Sequence, residues 1–201
     1  MPVTAKQEFT RIYEQNHWQN AESRSGVGST LAATDAIRRE LPGLLGALAV
    51  RTVLDAACGD YNWFRRTPVT FVHYTGVDIV EPMIAANQVY ATPQVSFQCL
   101  DIRVDPLPKV DLILCRDTLV HMSYHDIQAT LRNFVLSGST YVLMTTFPQY
   151  LNEDLHGNLI WRPLNFELPP FKLPKPLLFI NEECHEDDGK YDDKGLGLWR
   201  L

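Results

Sequence analysis

Asp55, Asp78 and Asp101 stand at the ends of three successive short apolar runs, Thr52–Ala57, His73–Ile79 and Val95–Leu100, at a spacing of 23 and 23 residues. Two further runs follow, Val110–Cys115 and Thr140–Phe147. Segments of helical character or short connectors separate the first four. Before the fifth, Ser123 and Asp126 form a capping box, with Ile127, Leu131, Phe134 and Val135 on one helical face. Several of the strands are apolar throughout, as parallel strands covered on both faces must be. The pattern predicts an α/β chain. A single aspartate after a strand is ordinary turn chemistry. Three at one spacing, with Gly59 after the first, point to a binding edge at the carboxyl ends of the strands.

The flanks differ from this repeat. Residues 6–20 read as an amphipathic helix carrying Phe9, Ile12, Tyr13 and Trp18, followed by the small-residue loop Glu22–Ser29. Ser29 can cap a helix from Thr30 onward, in which Ile37, Leu41, Leu44, Leu45 and Leu48 share a face, and Pro42 allows either two helices or one kinked helix. Residues 148–176 hold six of the thirteen prolines together with Trp161, Phe166 and Phe171, the composition of a packed lid. Leu177–Cys184 and Gly195–Leu201 then read as an antiparallel hairpin.

Composition bounds the function. The 201 residues carry a net charge of −6, with 45% hydrophobic residues, enough for a full core in a single domain. The acidic balance argues against a nucleic-acid partner held by its phosphates. The longest stretch without a strongly polar residue, Leu41–Val50, is ten residues and contains Pro42, so no membrane partner is expected. Glu8, Arg11 and Glu14 stand where a signal peptide would be apolar. The four cysteines, at 58, 99, 115 and 184, lack metal-ligand spacing and read as buried thiols of a reducing cytosol, which predicts a cytoplasmic protein. Oligomeric state has no signature here.

The turn Asp55-Ala56-Ala57-Cys58-Gly59-Asp60, with Asp78 and Asp101-Ile102, resembles the cofactor-binding edge of the class I S-adenosylmethionine-dependent methyltransferases. The resemblance covers roughly residues 30–201. It implies a Rossmann-like, doubly wound, seven-stranded and mostly parallel sheet with the last strand antiparallel and helices on both faces. It implies S-adenosyl-L-methionine as cofactor and S-adenosyl-L-homocysteine as product. On this resemblance the cofactor residues are Asp55, Ala57 and Gly59 at the first strand, Asp78 for the ribose with Ile79, and Asp101 with Ile102 at the adenine. Residues 1–29 would cover the cofactor, with Trp18 over it and Arg24 on its carboxylate or in a mere connector. Ala57 stands where a first glycine often sits and Tyr61 where a third would be. The Gly-x-Gly-x-x-Gly of a dinucleotide site is missing.

After the fourth strand come Arg116, Asp117 and, four residues on, His121. Two charges ending an apolar strand must pair with each other or face a cleft. Arg116 is assigned to the cofactor side, and Asp117 and His121 are candidate catalytic groups should the acceptor need to lose a proton. Burial should raise the Asp117 pKa, and Arg116 should oppose that rise. His121 and His125 have a metal-ligand spacing, but Ser123 starts a new helix between them and no metal is expected. Seven acids among residues 182–194 read as a solvated hairpin tip. Tyr150, Trp161, Phe166 and Phe171 are either lid core or an acceptor cage. The expected activity is methyl transfer to a small-molecule acceptor. The alternatives are a non-catalytic module that binds the same cofactor and a protein or peptide methyltransferase.

Overall fold

The structure, a computed structural model, describes residues 4–69, 73–155 and 161–201. The chain divides into two compact units, residues 1–102 and 103–201.

In the first unit, α1 (Ala5–Glu14) opens on a capping box in which Thr4 and Gln7 satisfy each other's backbone N–H groups. It stops earlier than the sequence pattern predicts, because Asn16 and Gln19 take positive φ angles of 46° and 50°. The second helix, α2 (Asp35–Ala47), starts five residues later than expected, behind Thr34 rather than Ser29. Ser29 instead closes a 3-10 turn, Val27–Ser29. Pro42 lies inside α2, which is one helix, and Ile37, Leu41, Leu44 and Leu45 are its buried face. Strands β1 (Thr52–Ala56), β2 (His73–Asp78) and β3 (Val95–Cys99) pair in parallel, and α3 (Glu81–Asn87) packs on β2 and β3. Val53, Leu54, Ala56, Tyr74 and Val77 are buried to 1% exposure or less, as the unbroken apolar runs require.

In the second unit, β4 (Leu112–Cys115) and β5 (Tyr141–Thr146) are parallel, and α4 (Tyr124–Leu136) lies between them in sequence. Ser123 caps α4 by accepting the Asp126 N–H, but the Asp126 carboxylate turns to Arg103 at 3.2 Å, so only half of the expected box forms. Val135 is exposed, not part of the buried face. Strands β6 (Leu178–Asn181) and β7 (Gly195–Arg200) form the hairpin, and β7 is antiparallel to both β5 and β6. The strand order in the sheet is β3-β2-β1-β4-β5-β7-β6. This is the Rossmann-like mixed sheet that the sequence predicts, with the seventh strand reversed. All four cysteines are free; Cys58 and Cys115 are buried, whereas Cys99, at the end of β3, is exposed. No helix among the described residues is long and apolar enough to cross a membrane.

Of the expected lid at 148–176, residues 156–160 lie outside the described residues, as do residues 1–3 of the N-terminal segment. The described part of the lid is irregular but packed. Leu164 and Phe166 are fully buried, and the Asn152 amide bonds the Asn165 backbone in both directions at 2.7 and 2.8 Å. Arg162 is 2% exposed and donates to the carbonyls of Leu119 at 3.0 Å, Val120 at 2.7 Å, Glu153 at 3.2 Å and Met122. Leucine at 162 would keep the apolar stem and strip those carbonyls of a donor. Arg162→Leu should cost about 3 kcal/mol or more, a fall in melting temperature of roughly 6–12 °C. A calorimetric melt unchanged to within about a degree would mean that solvent replaces the guanidinium there.

Candidate functional site

In the first unit the strand register builds the site. Ala56 stands beside Val77 and Asp78 beside Cys99, so β1, β2 and β3 end nearly level. The pairing continues past the strands, from the Cys58 N–H to the Val77 carbonyl at 2.9 Å and from the Leu100 N–H to the Asp78 carbonyl at 3.0 Å. Gly59 has φ +57°, and a Cβ on it would lie 2.3 Å from the Ser25 hydroxyl oxygen, so both backbone and space require glycine.

Asp78 ties this edge together. It is 6% exposed, and it accepts the Gly59 N–H on Oδ2 at 3.2 Å and the Val80 N–H on Oδ1 at 3.0 Å. Burial pushes its pKa up to about 6, against backbone N–H groups of Val80, Gly59 and Ile79 that favour the carboxylate. A carboxylate offers about four lone-pair positions, and the two N–H groups at hydrogen-bond distance, those of Gly59 and Val80, leave room for more. Ile79 is half-buried beside it; Asp101 is half-buried and Ile102 buried beyond the end of β3. Asp55 lies deeper on β1, level with Gly76, where it is 3% exposed and accepts the Tyr74 hydroxyl at 2.7 Å.

The N-terminal loop is tied onto the glycine turn by residues the sequence reading missed. The Asp60 carboxylate accepts the Ser23 hydroxyl at 3.0 Å, the Arg24 N–H at 2.7 Å and the Ser25 hydroxyl at 3.3 Å. The Asn62 amide donates to Glu22 at 2.8 Å and to the Ser29 carbonyl at 3.0 Å. The only signal was an acid next to Gly59 and a serine-rich loop more than thirty residues earlier. Trp18 is half-buried against Gly26, whose φ of +100° no side chain there would favour. The Arg24 side chain is exposed and reaches the Tyr13 carbonyl at 3.3 Å.

In the second unit, Arg116 and Asp117 follow β4 and enter a buried network. The Arg116 guanidinium forks onto Glu182, Nε at 3.1 Å and Nη2 at 2.7 Å, and its Nη1 lies 3.2 Å from Asp117 Oδ2. Lys194 Nζ lies 2.7 Å from Asp117 Oδ2 and 3.3 Å from Glu182. Arg116 thus takes the ion-pair alternative of the two that the sequence left open. Burial would raise the Asp117 pKa, but Arg116 and Lys194, with His121 adding a smaller pull, take it down to about 2. A carboxylate that acidic is a weak proton acceptor at neutral pH and a good hydrogen-bond acceptor.

Glu182 at 4% exposure and Asp193 at 7% correct the reading of 182–194 as wholly solvated. His121 ends a 3-10 turn, Leu119–His121, while His125 lies on α4 with its side chain 92% exposed, so the two share no helical face. Among the described residues no group of three His, Cys, Asp or Glu side chains could hold a metal. Trp161 packs on Phe147 at 5.8 Å and on Tyr191 at 5.0 Å between ring centroids, and Phe166 on Phe171 at 4.9 Å.

Residues 53–136 match a family described as a methyltransferase domain. No curated protein matches the chain. Among solved structures the chain is similar to magnesium protoporphyrin IX methyltransferase (ChlM) from Synechocystis PCC 6803 with bound SAH, at 14% identity and a TM-score of 0.53, over 73% of this chain and 70% of that one. It is similar to phosphoethanolamine N-methyltransferase 1 of Haemonchus contortus, at 15% identity and a TM-score of 0.55, over 83% of this chain and 39% of that one. A third is the methyltransferase domain of bacterial CtHen1-C, at 16% identity and a TM-score of 0.50, over 61% of this chain and 72% of that one. The chain spans less than two thirds of the length of several other matched structures. Residues 53–136 thus carry a match to a methyltransferase domain, and the fold is that of the methyltransferase structures it resembles.

Proposed function

We propose that the protein transfers the methyl group of S-adenosyl-L-methionine to a small-molecule acceptor by in-line displacement, releasing S-adenosyl-L-homocysteine. The observation that carries this is Asp78, a buried carboxylate at the end of β2 that already holds the Gly59 turn and has lone pairs to spare. Asp78 would accept both ribose hydroxyls, with Ile79 beside them. Asp101 would accept from the adenine amino group, and Ile102 would back the ring. Asp55, Ala57 and Gly59 shape the first turn, and Trp18 and Arg24 sit on the loop that covers it. Arg116 serves Asp117 instead, because its fork is filled by Glu182.

When bound, the cofactor supplies an already activated sulfonium methyl. The chain's own task is alignment, and holding reactants in line can supply roughly 7–11 kcal/mol of the barrier. Asp117 would orient an acceptor hydroxyl or amine, and His121, half-buried near it, is the candidate base where the acceptor must lose a proton. Labelled S-adenosylmethionine incubated with a protein-free metabolite extract, and separately with a protein extract, tests the reading. Label should appear in small molecules; label only in protein would establish the peptide reading, and none in either would leave a binding module.

A pH dependence follows from Asp78. Ribose hydroxyls donate to the ionised carboxylate, so protonation competes with the cofactor. Affinity should hold above pH 7 and fall as pH drops through about 6, by up to about tenfold per unit. The unliganded protein responds with the opposite sign. A carboxyl raised from 3.8 to about 6 binds protons more readily folded than unfolded, so its contribution to stability declines as pH rises through that window. Calorimetric titrations at pH 5 and pH 7.5 that agree in affinity would take Asp78 out of the cofactor site.

A further inference from the structure

Taking an ion out of water costs several kcal/mol even after a protein relaxes around it, so a buried charge network needs a reason. Residues 103–201 hold one in which neither Glu182 nor Lys194 belongs to the turn that carries Asp117. Glu182 follows β6 and Lys194 precedes β7, and the Glu182 N–H bonds the Lys194 carbonyl at 2.9 Å. The hairpin therefore presents one carboxylate and one ammonium as a pair fixed through the backbone. Exposure is 4% for Glu182, 7% for Lys194 and 7% for Arg116.

Two cations and two carboxylates balance, but the contacts are unevenly divided. Glu182 takes the Nε and Nη2 edge of Arg116, leaving Nη1 for Asp117. Both cations then meet the same oxygen of Asp117: Lys194 Nζ at 2.7 Å and Arg116 Nη1 at 3.2 Å from Oδ2. Among the described residues the other oxygen, Oδ1, meets only the Thr145 hydroxyl, at a long 3.4 Å. The Thr145 oxygen is meanwhile engaged by the Asp117 N–H at 2.8 Å, which fixes a backbone in the left-handed region at φ +52°.

We propose that Glu182 and Lys194 are positioning residues that clamp Asp117 by Oδ2, so that Oδ1 stands as a fixed hydrogen-bond acceptor for an N–H or O–H donor on the methyl acceptor. This rests on the reading above, in which Asp117 meets the acceptor. Glu182 keeps the Arg116 fork from closing over both oxygens, and Lys194 pins Oδ2. The groups that set the Asp117 charge are Arg116 on its own turn, Lys194 and Glu182 on the hairpin, Thr145 at β5 and His121 on the following 3-10 turn.

The test uses the full chain with Lys194→Met, Lys194→Arg and Glu182→Gln. Three quantities are read: the Asp117 carboxyl titration by carbon-13 NMR, S-adenosylmethionine affinity, and label transferred to a protein-free metabolite extract. With Lys194→Met the Asp117 midpoint should rise by about two pH units. Labelling should fall about tenfold or more across pH 6–8, because Oδ2 is no longer pinned, with cofactor affinity nearly unchanged, and Lys194→Arg should restore both. Glu182→Gln guards against a misfolded methionine variant. It frees the Arg116 fork to cover Oδ1, so labelling should fall without a rise in the Asp117 midpoint. An unchanged midpoint in Lys194→Met overturns the clamp, as does full labelling by Glu182→Gln. A raised midpoint with full labelling overturns the positioning role and leaves methyl transfer standing. Failure of the parent protein to bind the cofactor would instead remove the reading beneath it.

Discussion

Asp78→Ala should lower affinity for S-adenosylmethionine by about tenfold to several hundredfold, the loss of charge-assisted hydrogen bonds worth roughly 1.5–3 kcal/mol each. The alanine variant also frees the N–H groups of Gly59 and Val80, which now bond the carboxylate. Part of that cost is offset, because burial already disfavours the charge on Asp78. Asp78→Asn separates the two effects. It keeps the shape, removes the buried charge and replaces one acceptor by a donor. Affinity should fall in both variants, while the melting temperature falls mainly in the alanine one. Binding calorimetry at pH 7.5 that finds parental affinity in both would show that the ribose lies elsewhere.

Asp117→Asn should reduce methyl transfer by about 10²-fold or more with cofactor affinity retained. Asparagine can still accept on one atom, and the backbone bond from residue 117 to Thr145 persists. It cannot neutralise Lys194, whose ammonium lies 2.7 Å from the oxygen that would change. Arg116 and Lys194 would both lose the Asp117 charge, and breaking a buried pair costs about 3–5 kcal/mol, so a lower melting point should accompany the loss. Turnover like the parent's across pH 6–9 would move the chemistry to His121 or to alignment alone. Loss of cofactor binding would mark the network as structural.

Much of the architecture was legible because burial and strand period leave a local trace. The fully apolar run at Leu112–Cys115 marked a parallel strand, and the three aspartates at equal spacing marked where β1, β2 and β3 end. What was not legible lies in partners far apart in sequence. Arg116 and Glu182 are 66 residues apart, Lys194 and Asp117 are 77 apart, and Ser23 and Asp60 are 37 apart. A charged pair at that separation has no periodicity, so Glu182 was read with the solvated acids around it. Helix starts shifted for a local reason that composition conceals. Asp35 opens α2 behind a turn closed by the Thr34 hydroxyl on the Thr30 carbonyl at 2.7 Å, so Ser29 was a cap by chemistry but not by position.

The account depends first on cofactor class, and a titration of S-adenosylmethionine, S-adenosylhomocysteine and NAD followed by thermal melting tests it most directly. A ligand at about 100 times its dissociation constant stabilises the fold by about 2.7 kcal/mol. For a chain of this length that is a rise in melting temperature of roughly 5–11 °C. Both sulfur ligands should produce it and NAD should not. A melt that ignores both sulfur ligands, or that responds to NAD instead, would contradict the account.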